Sequence, residues 1–281
     1  MNNIFNIKRF GLVLRKDFME NWRRYVLLFL TMLGVITIVN TWYSLSEYSN
    51  IKGGHIINLE YLNKQLLLFS SLMFGGFGLL FSSTFMTPMN SKIKRITYLS
   101  NPSSNAEKYL TRWIIITVGY IISFFIALYI GDILRVGICS VYYSEIDSRF
   151  LDITKLVSFE YENYYVFAKD YFIISICFYF LFQSLFVLGS TFWEKGTFVK
   201  TFTAVTLIIL LYVLICRGFI LFFYENIDMF GNVINSILPE KKDITQEQSI
   251  TIIACITSFF SISNWLLAFF RFRESEIIKR L

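Results

Sequence analysis

The side chains that could do chemistry in this chain are concentrated in one polar, basic stretch, residues 88–112, between two long apolar runs. The residues of interest there are Lys92, Lys94, Arg95, Ser104, Glu107 and Lys108. A compact, structured loop on the cytoplasmic side is where a soluble partner can contact a membrane protein. The stretch is therefore either such a docking surface or a solvated basic loop that only sets topology.

Asp132 and Arg217 are a second pair of candidates, because each lies toward the end of an apolar run. An ionisable residue inside a membrane points to function by default, and the two could meet at similar depth as an ion pair. In the alternative interpretation, Arg217 reaches to the outer interface and Asp132 caps the end of its own helix.

Several kinds of chemistry have no residues to support them. The sequence contains no G-x-x-x-x-G-K-[ST], G-x-S-x-G or H-E-x-x-H, so we expect no ATP site, no catalytic activity and no cofactor. The single histidine, His55, has no second ligand nearby in the sequence. The cysteines Cys139, Cys177, Cys216 and Cys255 have no C-x-x-C spacing, which leaves buried apolar thiols or one disulfide.

The composition indicates an integral membrane protein. Of the 281 residues, 55% are hydrophobic and only 16% are charged, against about a quarter charged in an ordinary soluble domain. The net charge of +6 follows the inside-positive bias of membrane proteins and does not require nucleic-acid binding. We expect an all-α fold with six transmembrane helices, at about 25–45, 65–87, 113–134, 171–192, 201–223 and 249–270.

An amphipathic segment precedes the first span, and we expect residues 1–24 to form a helix that lies in the membrane interface, ahead of the six-helix transmembrane part, 25–281. Its apolar face repeats at spacings of three and four through Ile7, Phe10, Leu14, Phe18 and Trp22. Most Lys and Arg residues then fall on one side of the membrane, which predicts that both termini are cytoplasmic.

Polar and small residues inside the spans predict how the helices pack. Small side chains recur along the second span at Ser71, Gly75, Gly78 and Ser82, and they could pack within one subunit or across a dimer. Amides in the first and fourth spans, Asn40 and Gln183, are expected to hydrogen-bond between helices. Residues 136–170 are expected to form the longest external loop.

The segment that leads into the third span has a helix-start signature. Ser104 is followed three residues later by Glu107 and then by an apolar run, which predicts a capping box. The run from Tyr98 to Leu110, YLSNPSSNAEKYL, is similar to the "lPaSxxEKfl" run of integral membrane subunits of ABC exporters of the type-2 class in Bacteroides-like bacteria, with Asn101 and Ser103 differing. The basic N-terminal helix and the tail Phe270–Glu276 also resemble that family.

The resemblance implies a function. In that family the loop between spans two and three holds a coupling helix that docks on a separate ATPase subunit, which binds the ATP. For this chain it implies contacts by the residues of 88–112, a dimer with a second permease copy or a paralogue, and a location in the bacterial inner membrane. A different class remains open: a scaffold or sensor subunit that binds a partner through the external 136–170 segment without transport.

Overall fold

The computed structural model describes residues 5–52, 59–143, 149–152, 168–193, 195–225 and 246–274. These residues are almost entirely helical and form no strand. Helices satisfy their own backbone hydrogen bonds, which hydrocarbon surroundings demand. In these ranges the α-helices are α1 (Ile7–Lys52), α2 (Leu59–Ser83), α3 (Lys92–Leu99), α4 (Asn105–Ile114), α5 (Tyr120–Tyr142), α6 (Ala168–Phe192), α7 (Thr197–Glu225) and α8 (Gln246–Glu274).

Six helices are long and apolar enough to cross a membrane, which confirms the predicted number of apolar helices. A π-turn, Ile115–Gly119, joins α4 to α5, so that Asn105–Tyr142 forms one such helix. A 3₁₀ turn, Thr87–Met89, follows α2 and leads to the short helix α3. The predicted polar stretch 88–112 is therefore mostly helical.

The N-terminal segment differs from the prediction, because it is not a separate helix. α1 continues without a break through the expected boundary at Arg24. At about 1.5 Å per residue its 46 residues extend about 69 Å, roughly twice the hydrocarbon thickness of a bilayer. No proline or glycine lies between Trp22 and Val26, so nothing in the local sequence ends the helix there.

The helices extend beyond the predicted ends of the spans. α1 reaches Lys52 and α2 begins at Leu59, whereas the predicted spans are 25–45 and 65–87, and His55 lies outside the described residues. The expected 136–170 loop loses its first residues to α5, which ends at Tyr142. Of the remainder, residues 149–152 are described between α5 and α6.

Contacts between distant residues bring the basic parts of the chain to one end of the bundle. The N-terminal part of α1 meets α4 through Arg9 and Glu107, α4 meets α8 through Tyr109 and Trp265, and the α8 arginine Arg271 stacks on an α6 ring. We call this the basic end. Its segments are 7–25, 84–113, 187–201 and 265–274.

Aromatic packing joins α2, α5 and α6 in the middle of the bundle. A Cβ atom on Gly78 would lie 2.6 Å from the Tyr179 hydroxyl oxygen and 3.1 Å from the Tyr120 ring, so this glycine permits the helices to approach. Ser82, also buried, donates to the Gly78 carbonyl. Gly75 and Ser71, the other half of the predicted small-residue face, lie about one and two turns before Gly78. Ser71 is exposed there, and a Cβ on Gly75 would meet no atom within 4 Å.

α6 packs against α8 along much of its length, and α1 packs against α5 in the same way. The turn between α6 and α7 contains Gly196, whose φ of 65° is in the left-handed region that favours glycine. α7 touches the bundle mainly through its N-terminal part, where Thr201 packs against Gly189 of α6. Residues 207–215 of α7 are exposed and apolar.

Candidate docking site at the basic end

The start of α4 is fixed by the predicted capping box. The Glu107 amide donates to the Ser104 hydroxyl oxygen at 3.2 Å, and the Ser104 amide donates to Glu107 Oε2 at 2.9 Å. This arrangement satisfies two of the amides that a helix N-terminus would otherwise leave without partners. The helix that begins span three therefore has a defined first residue, as the sequence predicts.

The same carboxylate also holds the N-terminus of α1. Arg9 donates to Glu107 from Nε at 2.7 Å and from Nη2 at 2.8 Å, in the two-pronged geometry that suits a guanidinium. The Asn6 amide donates to Glu107 Oε1 at 2.8 Å. Glu107 is 0% exposed, and its oxygens accept from four donors. It is an internal anchor and is not part of the outer surface.

A second charged cluster ties α1 to α4 about two turns further along. Arg112 lies 3.3 Å from Asp17 Oδ2, and both side chains are buried. Tyr25 donates to Asp17 Oδ2 and accepts from Arg112 Nη1 at 2.9 Å. Asn21, one turn after Asp17 in α1, donates from Nδ2 to Asp17 Oδ1. The cluster spans the expected boundary between interfacial segment and first span, which helps to explain why α1 is continuous there.

The short helix α3 is attached to this framework at its base. Ser91 caps its N-terminus by accepting from the Lys94 amide, and Arg95 donates to the Met89 carbonyl at 3.2 Å. Burial raises the pKa of the Tyr98 hydroxyl well above its usual value, so the group stays protonated and donates to the Lys108 carbonyl of α4 at 3.2 Å. A displacement of α3 would therefore be passed directly to α4.

The outer side of α3 is apolar. Ile93 is 79% exposed and Ile96 is 58% exposed, with Lys94 and Thr97 exposed beside them. Exposed isoleucines on a short helix that is otherwise fixed to the protein indicate a contact surface, either for a protein partner or for the membrane.

A cavity of about 410 Å³ separates α3 from the N-terminal part of α1. Its lining on the α1 side includes Val13, Lys16, Asp17, Glu20, Asn21, Arg23 and Arg24, and on the α3 side Thr87, Pro88, Ile93, Lys94, Thr97, Tyr98 and Asn101. Both apolar and cationic side chains face this space, and it is bordered by the Asp17–Arg112 cluster.

An aromatic cluster closes the basic end beneath α3. Phe85 packs edge-on against Tyr109 at 5.0 Å between ring centroids, and Phe272 of α8 lies 6.1 Å from Tyr109. The Tyr109 hydroxyl donates to the Trp265 carbonyl at 2.8 Å. α8 is thereby fixed to the first turns of α4.

A buried amide connects three helices at the π-turn. Gln183 of α6 donates to the Thr117 hydroxyl oxygen at 3.1 Å and accepts from Trp265 Nε1 of α8 at 3.0 Å. This agrees with the expectation that Gln183 bonds between helices. Asn40 of α1, for which the same was expected, is fully buried, and neither atom of its amide has a partner within the described part of the chain.

The predicted docking residues divide into two groups. Lys94 is exposed and Arg95 half-buried on α3, whereas the Lys92 side chain lies outside the described part. Ser104 is half-buried, and Glu107 and Lys108 are buried within the basic end. Buried side chains cannot meet a partner without rearrangement. The expected direct contact of Glu107 and Lys108 with an ATPase is therefore corrected to a role inside the basic end. The docking function of Lys94 and Arg95 stays a prediction.

Of the two interpretations of Asp132 and Arg217, the described residues do not show the ion pair, because Asp132 has a nearer partner. Arg135 donates to Asp132 Oδ1 from Nε at 2.7 Å, one helical turn away, and both side chains are buried. The Leu151 amide donates to Asp132 Oδ2 and Arg135 donates to the Arg149 carbonyl, so the pair also fixes residues 149–152. Arg217 is exposed on α7.

Sequence reasoning missed Arg9, Asp17, Arg112 and the π-turn as structural features. A signal existed for Asp17, which is one of two acids within a strongly basic stretch and needs a cationic partner when its face is buried. Arg9 carried no such signal, because Glu107 lies 98 residues away.

All four cysteines are free, which leaves no disulfide among them. Within the described residues, no group of three His, Cys, Asp or Glu side chains could hold a metal ion. Comparison of the chain with models of protein families, with curated proteins and with solved structures gives no match.

Proposed function

We propose that the chain is the membrane-spanning subunit of an ATP-binding-cassette exporter and that a separate ATPase docks on α3 at the basic end. The observation that carries the proposal is the form of α3. It is a short helix between the second and third spans, it presents Ile93 and Ile96 outward, and it is fixed to the remaining helices at its base. The resemblance of 98–110 to type-2 permeases supports the same reading.

The orientation follows from charge. The basic end contains most of the cationic residues in the described part of the chain, and positive charge is retained on the cytoplasmic side of bacterial membranes. We infer that this end, with both termini, is cytoplasmic and that the chain lies in the bacterial inner membrane. An ATPase has access to α3 only in this orientation.

The contacts at the basic end suggest how force from the ATPase would reach the spans. α3 meets α4 through the Tyr98 hydroxyl, and α4 is joined to α1 by Glu107 and to α8 by Tyr109. α4 then continues through the π-turn into α5. A push on α3 would move α1, α4 and α8 together, because hydrogen bonds join α4 to each of the three.

A second permease copy, or a paralogue, completes the proposal. Six spans are few for enclosing a path alone, and the exposed apolar residues 207–215 of α7 leave a surface that a second copy can share with lipid. The translocation path would then form between the two copies, with one ATPase beneath each.

The test is co-purification of the tagged, full-length chain from its native membrane. The proposal expects a co-purifying chain with a G-x-x-x-x-G-K-[ST] motif, whose ATPase rate changes on reconstitution with the permease. Ile93→Ser with Ile96→Ser should abolish both the association and the rate change. Val199→Ser, at an exposed apolar position of α7 at the same end, is the matched control and should alter neither.

An α3 double variant that keeps full association and full ATPase stimulation would refute docking at this helix. If no ATPase co-purifies under conditions that retain other membrane complexes, the transport proposal fails. The scaffold or sensor alternative, with a partner on the 136–170 side, would then take its place.

A further inference from the structure

The cavity between α1 and α3 has an excess of positive charge that the described residues do not neutralise. Of its two acids, Asp17 is paired with Arg112 and Glu20 lies 3.7 Å from Lys16. Within the described part of the chain, no carboxylate pairs with the other cations that line the cavity, which are Arg23, Arg24 and Lys94.

The buried cluster behind the cavity adds to this excess. The charges of Arg24 and Arg112 repel each other, and Asp17 pairs with Arg112 alone among the described residues. Arg112 is 5% exposed, and no described residue forms a hydrogen bond with its Nε or Nη2 atom. Buried cations in such surroundings are stabilised by an anion, and a phosphate offers several acceptor oxygens to guanidinium groups.

The position and the lining of the cavity favour a membrane lipid as the source of the anion. Trp22 and Phe18, about half exposed, lie on α1 beside the cavity residues, and tryptophan is typical of the membrane interface. Val13 and Ile93 give the cavity apolar walls next to its cations. A volume of about 410 Å³ suits a headgroup and is within the usual range of small-ligand sites.

We propose that this cavity binds the phosphate headgroup of an anionic membrane lipid, held by Arg24, Arg23 and Lys94 with its glycerol and upper acyl atoms against Val13. Basic pockets between helices on the cytoplasmic side are suited to such headgroups. The lipid would fill the space between α1 and α3 and would link the docking helix to the membrane. The proposal does not depend on transport.

The test uses the purified full-length chain and native mass spectrometry, with phosphatidylglycerol and phosphatidylcholine as probes. Wild type should retain phosphatidylglycerol in preference to phosphatidylcholine. One cation near a membrane surface contributes about a fivefold change in affinity, so Arg24→Gln with Lys94→Gln should weaken phosphatidylglycerol retention by about thirtyfold. Lys195→Gln with Lys200→Gln removes the same charge from exposed positions at the same end and should change retention less than twofold.

Two further arms make the result decisive. Lys94→Gln alone changes an exposed residue of α3, so it should leave folding intact and still weaken phosphatidylglycerol retention about fivefold. Inorganic phosphate at millimolar concentration should neither stabilise the protein nor displace the lipid. Stabilisation by inorganic phosphate alone would overturn the lipid assignment. Equal retention of both lipids, or equal losses in the two double variants, would overturn the site.

Discussion

Replacement of Glu107 by alanine should loosen two helices at once. The side chain accepts from Ser104 and so caps α4, and it accepts from Asn6 and Arg9 and so holds the start of α1. Both groups of bonds end on one buried carboxylate, so a single substitution removes them together. Glu20→Ala is the matched control, because that glutamate is exposed on α1 and lies 3.7 Å from Lys16.

The size of the effect follows from the bonds that are lost. Losing the acidic half of the capping box costs roughly 1 kcal/mol at the start of α4. Losing the Asn6 amide bond costs about 1 kcal/mol at the start of α1. The Arg9 contribution adds to the second value, but solvent screens it because a third of that side chain is exposed. Each segment should therefore open about fivefold more often in Glu107→Ala.

Amide hydrogen exchange of the protein in nanodiscs measures this opening for each segment separately. Peptides from 7–20 and from 105–112 should each exchange about fivefold faster in Glu107→Ala than in wild type. Peptides from α6 should be unchanged, and Glu20→Ala should match wild type in all of them.

Arg9→Ala separates the two roles of the carboxylate. It should speed exchange in 7–20 while leaving 105–112 at the wild-type rate, because the capping box does not involve Arg9. Faster exchange in 105–112 alone, in the Glu107→Ala protein, would refute the conclusion that this residue holds α1. Unchanged exchange in both segments would refute the geometry of the anchor as a whole.

Two further predictions concern the interior of the bundle. Gly78→Ala should lower the melting temperature in detergent, because overpacking there costs about 1–3 kcal/mol. Gly76→Ala should leave it unchanged, because a Cβ there meets nothing within 4 Å, and equal melting of both variants would contradict the close approach at Gly78. Asp132→Leu or Arg135→Leu alone should each lower the stability by about 3–5 kcal/mol, because each leaves a buried charge without its partner, and the double replacement should lower it less than either. Arg217→Leu should leave the melting temperature unchanged. A larger fall in melting temperature for Arg217→Leu than for Arg135→Leu would instead support a pair between Asp132 and Arg217.

The features that sequence predicted well are local. The capping box needs only Ser104 and Glu107, three residues apart, and the six apolar helices follow from runs of about twenty hydrophobic residues. Helix ends were predicted poorly because hydropathy marks the hydrocarbon region and not the helix. α1 and α2 continue into more polar sequence toward Lys52 and Leu59, where Tyr48 and Leu62 are still buried in the core.

The features that sequence did not predict depend on contacts between distant segments. Nothing near Arg9 in the chain indicates Glu107, and nothing near Asp17 indicates Arg112, which lies in another helix. Asp132 is a different case. Its partner, Arg135, lies at the i+3 position that helix geometry favours and was not considered, whereas the sequence left two interpretations open, a pair with Arg217 and a cap on the helix of Asp132 itself.

One carboxylate joins the start of α1 to the start of the third apolar helix, and this has a consequence for any motion at the basic end. α1 cannot leave α4 at Arg9 without exposing Glu107, and Glu107 cannot follow Arg9 without uncapping α4. The second cluster, Asp17 with Arg112, sets the same condition two turns further along α1. The N-terminal part of α1, α4 and the helix α3 bonded to it are therefore expected to move as one body, with the π-turn Ile115–Gly119 as the nearest irregularity where α5 can bend away.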